Sequence, residues 1–229
     1  MALDLGTPAI RADGLATKRQ AGSVFVRHGS ARVFVSAAIV AVAARLVVGD
    51  LGVGDVVVSA ITLVLIGPME WLLHREVLHA PEDSWSSRRL GTGSGHRRHH
   101  EDPPDLGWLL VSGFDSVVVV VVFGALTAGW TSVVALGSGT AIIGPFLTGC
   151  ALAAFGLAHY EWVHLLIHTR YRCRTRYYRR LAANHRRHHY RNERFWLGVT
   201  TNSGDRLFGT MPRSQVPISA TARTLDESS

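Results

Sequence analysis

Long apolar stretches alternate with polar, strongly basic ones along this chain. Four stretches, Val33 to Val48, Val56 to Leu73, Leu109 to Trp130 and Val133 to Ala158, carry almost no charge. A helix needs roughly 20 mostly apolar residues to cross a hydrocarbon core, so the pattern predicts four transmembrane helices. The first is the shortest and carries Arg45 near its far end, where a long side chain can snorkel to the interface. The β-branched run Ser116 to Phe123 would also suit a buried strand, but its setting is long and lacks polar alternation, which favours a helix. Trp71, Trp108 and Trp130 stand at segment ends, where interfacial aromatics gather; core packing is the competing explanation for each. The predicted fold is all-α and integral to the membrane: four transmembrane helices with a cytoplasmic, histidine-rich helical cap. Residues 1–32 are expected to form a polar, mobile tail, 33–211 the four-span domain with its cap, and 212–229 a disordered C-terminal tail.

Charge sets the orientation. The chain has 229 residues, one domain's worth, with a formal net charge of +7. A basic excess points to nucleic acid or to an anionic membrane surface, and the four apolar stretches decide for the membrane and against nucleic acid. Of the 24 basic residues, five precede the first span, five lie between spans two and three, and the rest, apart from Arg45, follow the fourth. The short connections near Gly49–Asp55 and Thr131 carry none. By the positive-inside rule both termini and the middle loop face the cytoplasm. The first 32 residues lack the apolar core of a secretory leader. Cys150 falls within the fourth span and Cys173 in the cytoplasm, so no disulfide framework is expected.

Histidine carries the chemistry. Ten of the 12 histidines form four clusters: His74 with His79; His96, His99 and His100; His164 with His168; and His185, His188 and His189. The pentapeptide HRRHH occurs twice, 89 residues apart, and each time 16 residues separate it from the preceding pair. The chain therefore repeats one plan: two spans, a histidine pair, a spacer, then HRRHH. Residues at i, i+3 and i+4 share a helix face, which groups the members of each HRRHH and also joins His164 to His168. Adjacent histidines diverge by about 100°, so one such cluster can serve two metal ions. His74 and His79, five apart, do not share a face of an ideal helix; the second span is expected to continue past the membrane and to loosen or end near Pro81. A structural zinc site uses four ligands, whereas ten histidines imply two ions of high coordination number. Two metals beside an apolar chain point to oxygen activation and so to iron, with zinc able to occupy the same imidazoles in purified protein. His28 reads as solvated tail.

The clusters HREVLH, HRRHH, HLLIH and HRRHH resemble those of the fatty acid hydroxylase and sterol desaturase superfamily, and the stretch Leu197 to Thr210 resembles the segment after its last cluster. The HxxxH third cluster is nearest the fatty acid 2-hydroxylase branch. The resemblance implies a four-helix membrane stem, a cytoplasmic dimetal cap with two metal ions, most simply iron, and O2 as co-substrate for hydroxylating a lipid, a fatty acyl chain first. It also implies His74, His79, His96, His99, His100, His164, His168, His185, His188 and His189 as ligands. Relatives that carry a fused haem domain have no counterpart in the 32-residue N-terminal stretch here, so electrons are expected from a separate ferredoxin- or cytochrome-type donor with its reductase. The arginines of 170–180 suit such an acidic donor or anionic headgroups, or reflect topology alone.

Around the ligands, Glu70 and Glu161 are candidates to orient imidazoles, with a role as helix-end carboxylates equally open. His159, Asp105, Asn184 and Asp205 are further candidates for the surrounding shell, and Asp115 for a polar lining. A carotenoid or sterol hydroxylase or desaturase is the neighbouring alternative. A histidine-rich metal transporter is the alternative of another class, but transporters place ionisable groups at the midplane of broken helices, and these clusters all sit at one surface.

Overall fold

A computed structural model describes residues 11–91, 93–139 and 141–219; the parts of the two expected tails at 1–10 and 220–229 lie outside the described residues. The helices are α1 (Lys18–Arg27), α2 (Gly29–Val48), α3 (Val53–Leu72, extended by a π-helical turn, Leu73–Leu78), α4 (Trp85–Leu90), α5 (Ser94–Glu101), α6 (Leu106–Leu109), α7 (Gly113–Ser138), α8 (Ile143–His168), α9 (Arg176–Tyr190) and α10 (Ser203–Leu207). Among the described residues there is no strand, only a single bridge between Arg11 and Asp105.

Four segments are long and apolar enough to cross a membrane: Gly29–Val48, Val53–Leu78, Leu106–Gly137 and Ile143–His168. The α2–α8 pair forms the centre of the bundle, with α3 and α7 packed on it. The outer faces are apolar: Val47, Leu136 and Phe114 are 88%, 85% and 78% exposed, an arrangement suited to lipid and costly in water. At 1.5 Å per residue α2 is about 30 Å long, one hydrocarbon thickness. The 26 residues of α8, and the 26 of α3 with its π turn, reach about 39 Å. That excess of roughly two turns is where the histidine pairs sit.

The third and fourth spans do not part at Thr131. The α7 helix runs on to Ser138 and ends at Gly139, whose φ of +66° takes the left-handed conformation. Thr131 and Ser132 do not break the helix because their hydroxyls donate back to the carbonyls of Thr127 and Ala128, at 2.6 Å each. Arg45 does not snorkel. It is buried and paired with both carboxylate oxygens of Asp55, at 2.7 and 2.8 Å, and Asp55 also accepts from Thr148 Oγ1.

Residues 11–32 are folded rather than a loose tail. A capping box between Thr17 and Gln20 starts α1, and Phe25 meets Trp162 of α8 edge-on, ring centroids 5.5 Å apart. Arg11 makes a bidentate pair with Asp102, just after α5. His28 caps α2, and its Nδ1 meets Ser30 Oγ at 2.9 Å. At the other end, Val216 is buried, the Arg191 guanidinium donates to its carbonyl, and Ser219 N donates to Arg191 O. Residues 212–219 are thereby pinned to the end of α9.

Candidate metal centre

Each histidine pair projects from the end of a long span, and each HRRHH lies on a following helix, α5 or α9, packed against that span. In α8, His164 and His168 are one turn apart, with ring centroids at 5.1 Å. The five-residue spacing of His74 and His79 is reconciled by the π turn. His79 N donates to His74 O at 3.0 Å, an i→i+5 bond that widens the turn and brings the two rings into a stack at 5.1 Å. The span ends there, just before Pro81. Gly93 lets α5 approach: its φ is +76°, and a Cβ would stand 2.7 Å from Leu78 O.

The ten clustered histidines converge into two groups of five. His74, His79, His96, His100 and His188 form one; His99, His164, His168, His185 and His189 form the other, and within each group one ligand atom per residue lies within 4.8 Å of all the rest. The outer histidines of each HRRHH join the pair from their own half, while the middle one crosses to the opposite group. His99 thus completes the set built by α8 and α9, and His188 the set built by α3 and α5. A shared helix face explains His96 with His100 and His185 with His189. The crossing depends on how α5 and α9 are set against each other, which spacing alone does not encode.

The donor set fits metal. Two nitrogens bound in cis positions, each about 2.1 Å from one ion, stand ~3.0 Å apart. Nε2 to Nε2 distances are 3.0 Å for His74–His96, 3.1 Å for His79–His96, 3.2 Å for His79–His188, 2.9 Å for His168–His185 and 3.0 Å for His185–His189. Two neutral imidazoles can share one proton in such a contact, but a ring of five cannot satisfy all its Nε2 atoms that way. His99 is buried, and neither of its ring nitrogens finds a hydrogen-bond partner among the described residues. A metal ion removes that penalty.

Backbone carbonyls fix the tautomers. His74 Nδ1 lies 2.5 Å from Leu197 O and His188 Nδ1 2.9 Å from Phe195 O. Since a carbonyl only accepts, both Nδ1 atoms carry the proton and both Nε2 lone pairs face inward. Burial pushes His79 down to about 4 and His100 to about 3. Burial first, then neighbouring imidazoles, push His96, His99, His185, His188 and His189 well below the ordinary histidine range. The rings are held neutral, the form that binds metal.

The carboxylates act one step further out than expected. Glu70 accepts from Val199 N at 2.5 Å and from Thr200 N and Thr200 Oγ1 at 2.7 Å each; none of these partners is an imidazole. It clamps the strap at 197–210, whose Leu197 carbonyl holds His74. Asp205 anchors the same strap through Leu197 N, Gly198 N and Thr210 Oγ1. Trp71 lies against the strap instead of at an interface, donating to Thr210 Oγ1 and stacking on Phe208. In the other half, Glu161 accepts from Ser30 Oγ at 2.5 Å and Val111 N at 3.2 Å. It ties the start of α2 and the α6–α7 junction to α8.

The remaining candidates have other partners. Asp105 caps α6 through Gly107 N; Asn184 accepts from Arg187 and faces Met211. Asp115 bonds Ser112 at the start of α7. His159 lies between Phe155 and Tyr177, outside both groups. Ser30, Thr200 and the Leu197 and Phe195 carbonyls escaped the sequence reading, and a backbone acceptor leaves no signal in residue type.

Four apolar spans with ten buried or half-buried histidines gathered into two sets define a membrane protein whose histidine clusters could hold metal. The chain belongs to the fatty acid hydroxylase family, whose family model matches residues 59–210. Membership makes it an oxidoreductase of membranes, in a family that typically uses iron. No curated protein and no solved structure matches the chain.

Proposed function

We propose that the protein is a diiron hydroxylase that uses O2 to oxidise a lipid, most simply a fatty acyl chain, at the cytoplasmic face of the membrane. The observation that carries this reading is the pair of five-imidazole sets with Nε2 spacings near 3.0 Å, reached from spans that border lipid. Bound iron would supply the oxidising chemistry toward a C–H bond. The protein's part is to hold ten neutral rings in register, through Leu197 O, Phe195 O and the strap clamped by Glu70 and Asp205. It also keeps water from the buried rings and admits an acyl chain from the bilayer. The distribution of basic residues supports the cytoplasmic placement of both termini and of the centre, where a separate soluble donor could deliver electrons. A carotenoid or sterol substrate differs only in the shape of the chain admitted.

The test is expression in iron-supplied cells beside a His188→Ala/His189→Ala variant, with metal content and lipid products measured together. About two metals per chain, and an O2-dependent hydroxylated lipid absent from the variant, are expected. Folded protein that binds no metal would sink the dimetal reading. Bound metal without an oxidised lipid would reopen transport.

A further inference from the structure

Outside the metal centre, two recesses meet at α1. One is an apolar groove of about 630 Å³ between α2 and α8, lined by Ala38, Ile39, Val42 and Ala43 on one side and Phe155 and Trp162 on the other. Along α2 it runs from Val35 to Leu46, about 16 Å at the helical rise. The second recess, about 600 Å³, is lined by Lys18, Arg170, Arg172 and Arg174, with no acidic side chain among its described lining residues. All four cations are exposed.

The two recesses are joined by one helix. Lys18, in the first turn of α1, lines the basic recess and stands 5.9 Å over the ring of Trp162, which lines the groove. Phe25, two turns further along α1, also lines the groove. The junction is braced by Arg170 N donating to Leu15 O at 2.9 Å. Because α8 ends at His168, in a bilayer crossed by α8 the cations would stand at headgroup level and the groove below them at acyl level.

We propose that this composite surface binds an anionic glycerophospholipid, its phosphate on Lys18, Arg170, Arg172 and Arg174 and one acyl chain along the α2–α8 groove. Charge complementarity and the vertical order, cations above and apolar wall below, match an amphiphile with a negative head. A soluble acidic partner would use the cations and leave the groove idle; a neutral lipid would do the reverse. The site is separate from the histidine sets, so its occupancy does not depend on the proposed oxidation.

The test titrates purified full-length protein in neutral detergent with phosphatidylglycerol and with phosphatidylcholine of the same chains, read by native mass spectrometry. Each cation near a lipid surface contributes about fivefold in affinity, so a preference of at least tenfold for the anionic lipid is expected. Arg172→Gln/Arg174→Gln should remove most of that preference. Ala43→Phe fills the groove from another helix and should weaken both lipids alike while the preference remains. Equal affinity for the two lipids, an unchanged preference in the arginine variant, or glycerol phosphate binding as tightly as the whole lipid would each overturn the proposal. The last outcome would mark a plain anion site.

Discussion

The crossing of His99 and His188 makes a prediction opposite to what sequence proximity suggests. His99 sits beside His96 and His100 in α5, yet its ring lies 4.7 Å from those of His168 and His189 and belongs with them. His99→Ala removes one of five donors from the set built mainly by α8 and α9. Loss even of a residue that only supports a ligand lowers metal affinity 10–100-fold, so the expected cost is at least about 1.4–2.7 kcal/mol, confined to that set. A double-mutant cycle separates the alternatives. His99→Ala combined with His168→Ala strikes one ion twice and should show a coupling of roughly 0.5–3 kcal/mol. His99→Ala with His79→Ala strikes two different ions and should be additive within about 0.5 kcal/mol. The assay is equilibrium titration of metal-stripped protein in detergent with Co2+, whose absorbance reports imidazole coordination. Stronger coupling of His99 to His79 than to His168 would refute the crossed arrangement.

Other residues give equally direct tests. Glu70→Ala strands three donors, Val199 N, Thr200 N and Thr200 Oγ1. At about 1–3 kcal/mol for each buried unpaired group, a loss of roughly 3 kcal/mol or more is expected in denaturant unfolding; a loss under about 1 kcal/mol would mean that the strap holds without its clamp. Gly204→Ala places a Cβ 2.5 Å from Gly67 O and from Trp71 Cβ and should destabilise by about 1–3 kcal/mol, lowering the melting temperature. Gly156→Ala has open space around it and should be neutral or stabilising by up to about 1 kcal/mol; similar behaviour of the two variants would count against the close α3–α10 approach. In metal-stripped protein, His79 and His100 have folded values of about 4 and 3, below an unfolded value near 6.5. The unfolded chain therefore binds more protons once the pH falls below about 6.5. Stability should drop by about 1.4 kcal/mol per pH unit for each ring until its folded value is reached; a flat melting temperature from pH 7 to 5 would contradict buried neutral imidazoles.

The sequence made the four spans legible because length and hydropathy are properties of single segments. It misplaced the α7–α8 turn because polarity at Thr131 and Ser132 looks like a break, whereas both hydroxyls are satisfied inside the helix. The groupings of His96 with His100 and of His185 with His189 were readable from i and i+4 spacing, whereas the i+3 members His99 and His188, expected on the same faces, go to the opposite sets; the π turn at His74–His79 was readable only as a misfit to an ideal helix. The crossing of His99 and His188 was out of reach, since it depends on the docking of α5 against α9. Glu70 and Glu161 were noticed for their nearness to histidines in sequence, but their oxygens point across to the strap and to α2. Residues 11–32 read as a tail because single anchors, Arg11 on Asp102 and Phe25 on Trp162, produce no apolar run.

Exchange of the middle histidines also sets an order of events during biosynthesis. When α3 and α5 have left the ribosome, four donors of the first set exist, but its fifth, His188, is still 88 residues beyond His100. The second set in turn borrows His99 from chain made much earlier. Neither half holds all five donors of one set, so under the dimetal proposal complete metal capture would wait until α9 has docked. Ion loading would then act as a latch on finished assembly: it would hold the N- and C-terminal halves together, and a chain cut before α9 would be left without either complete set.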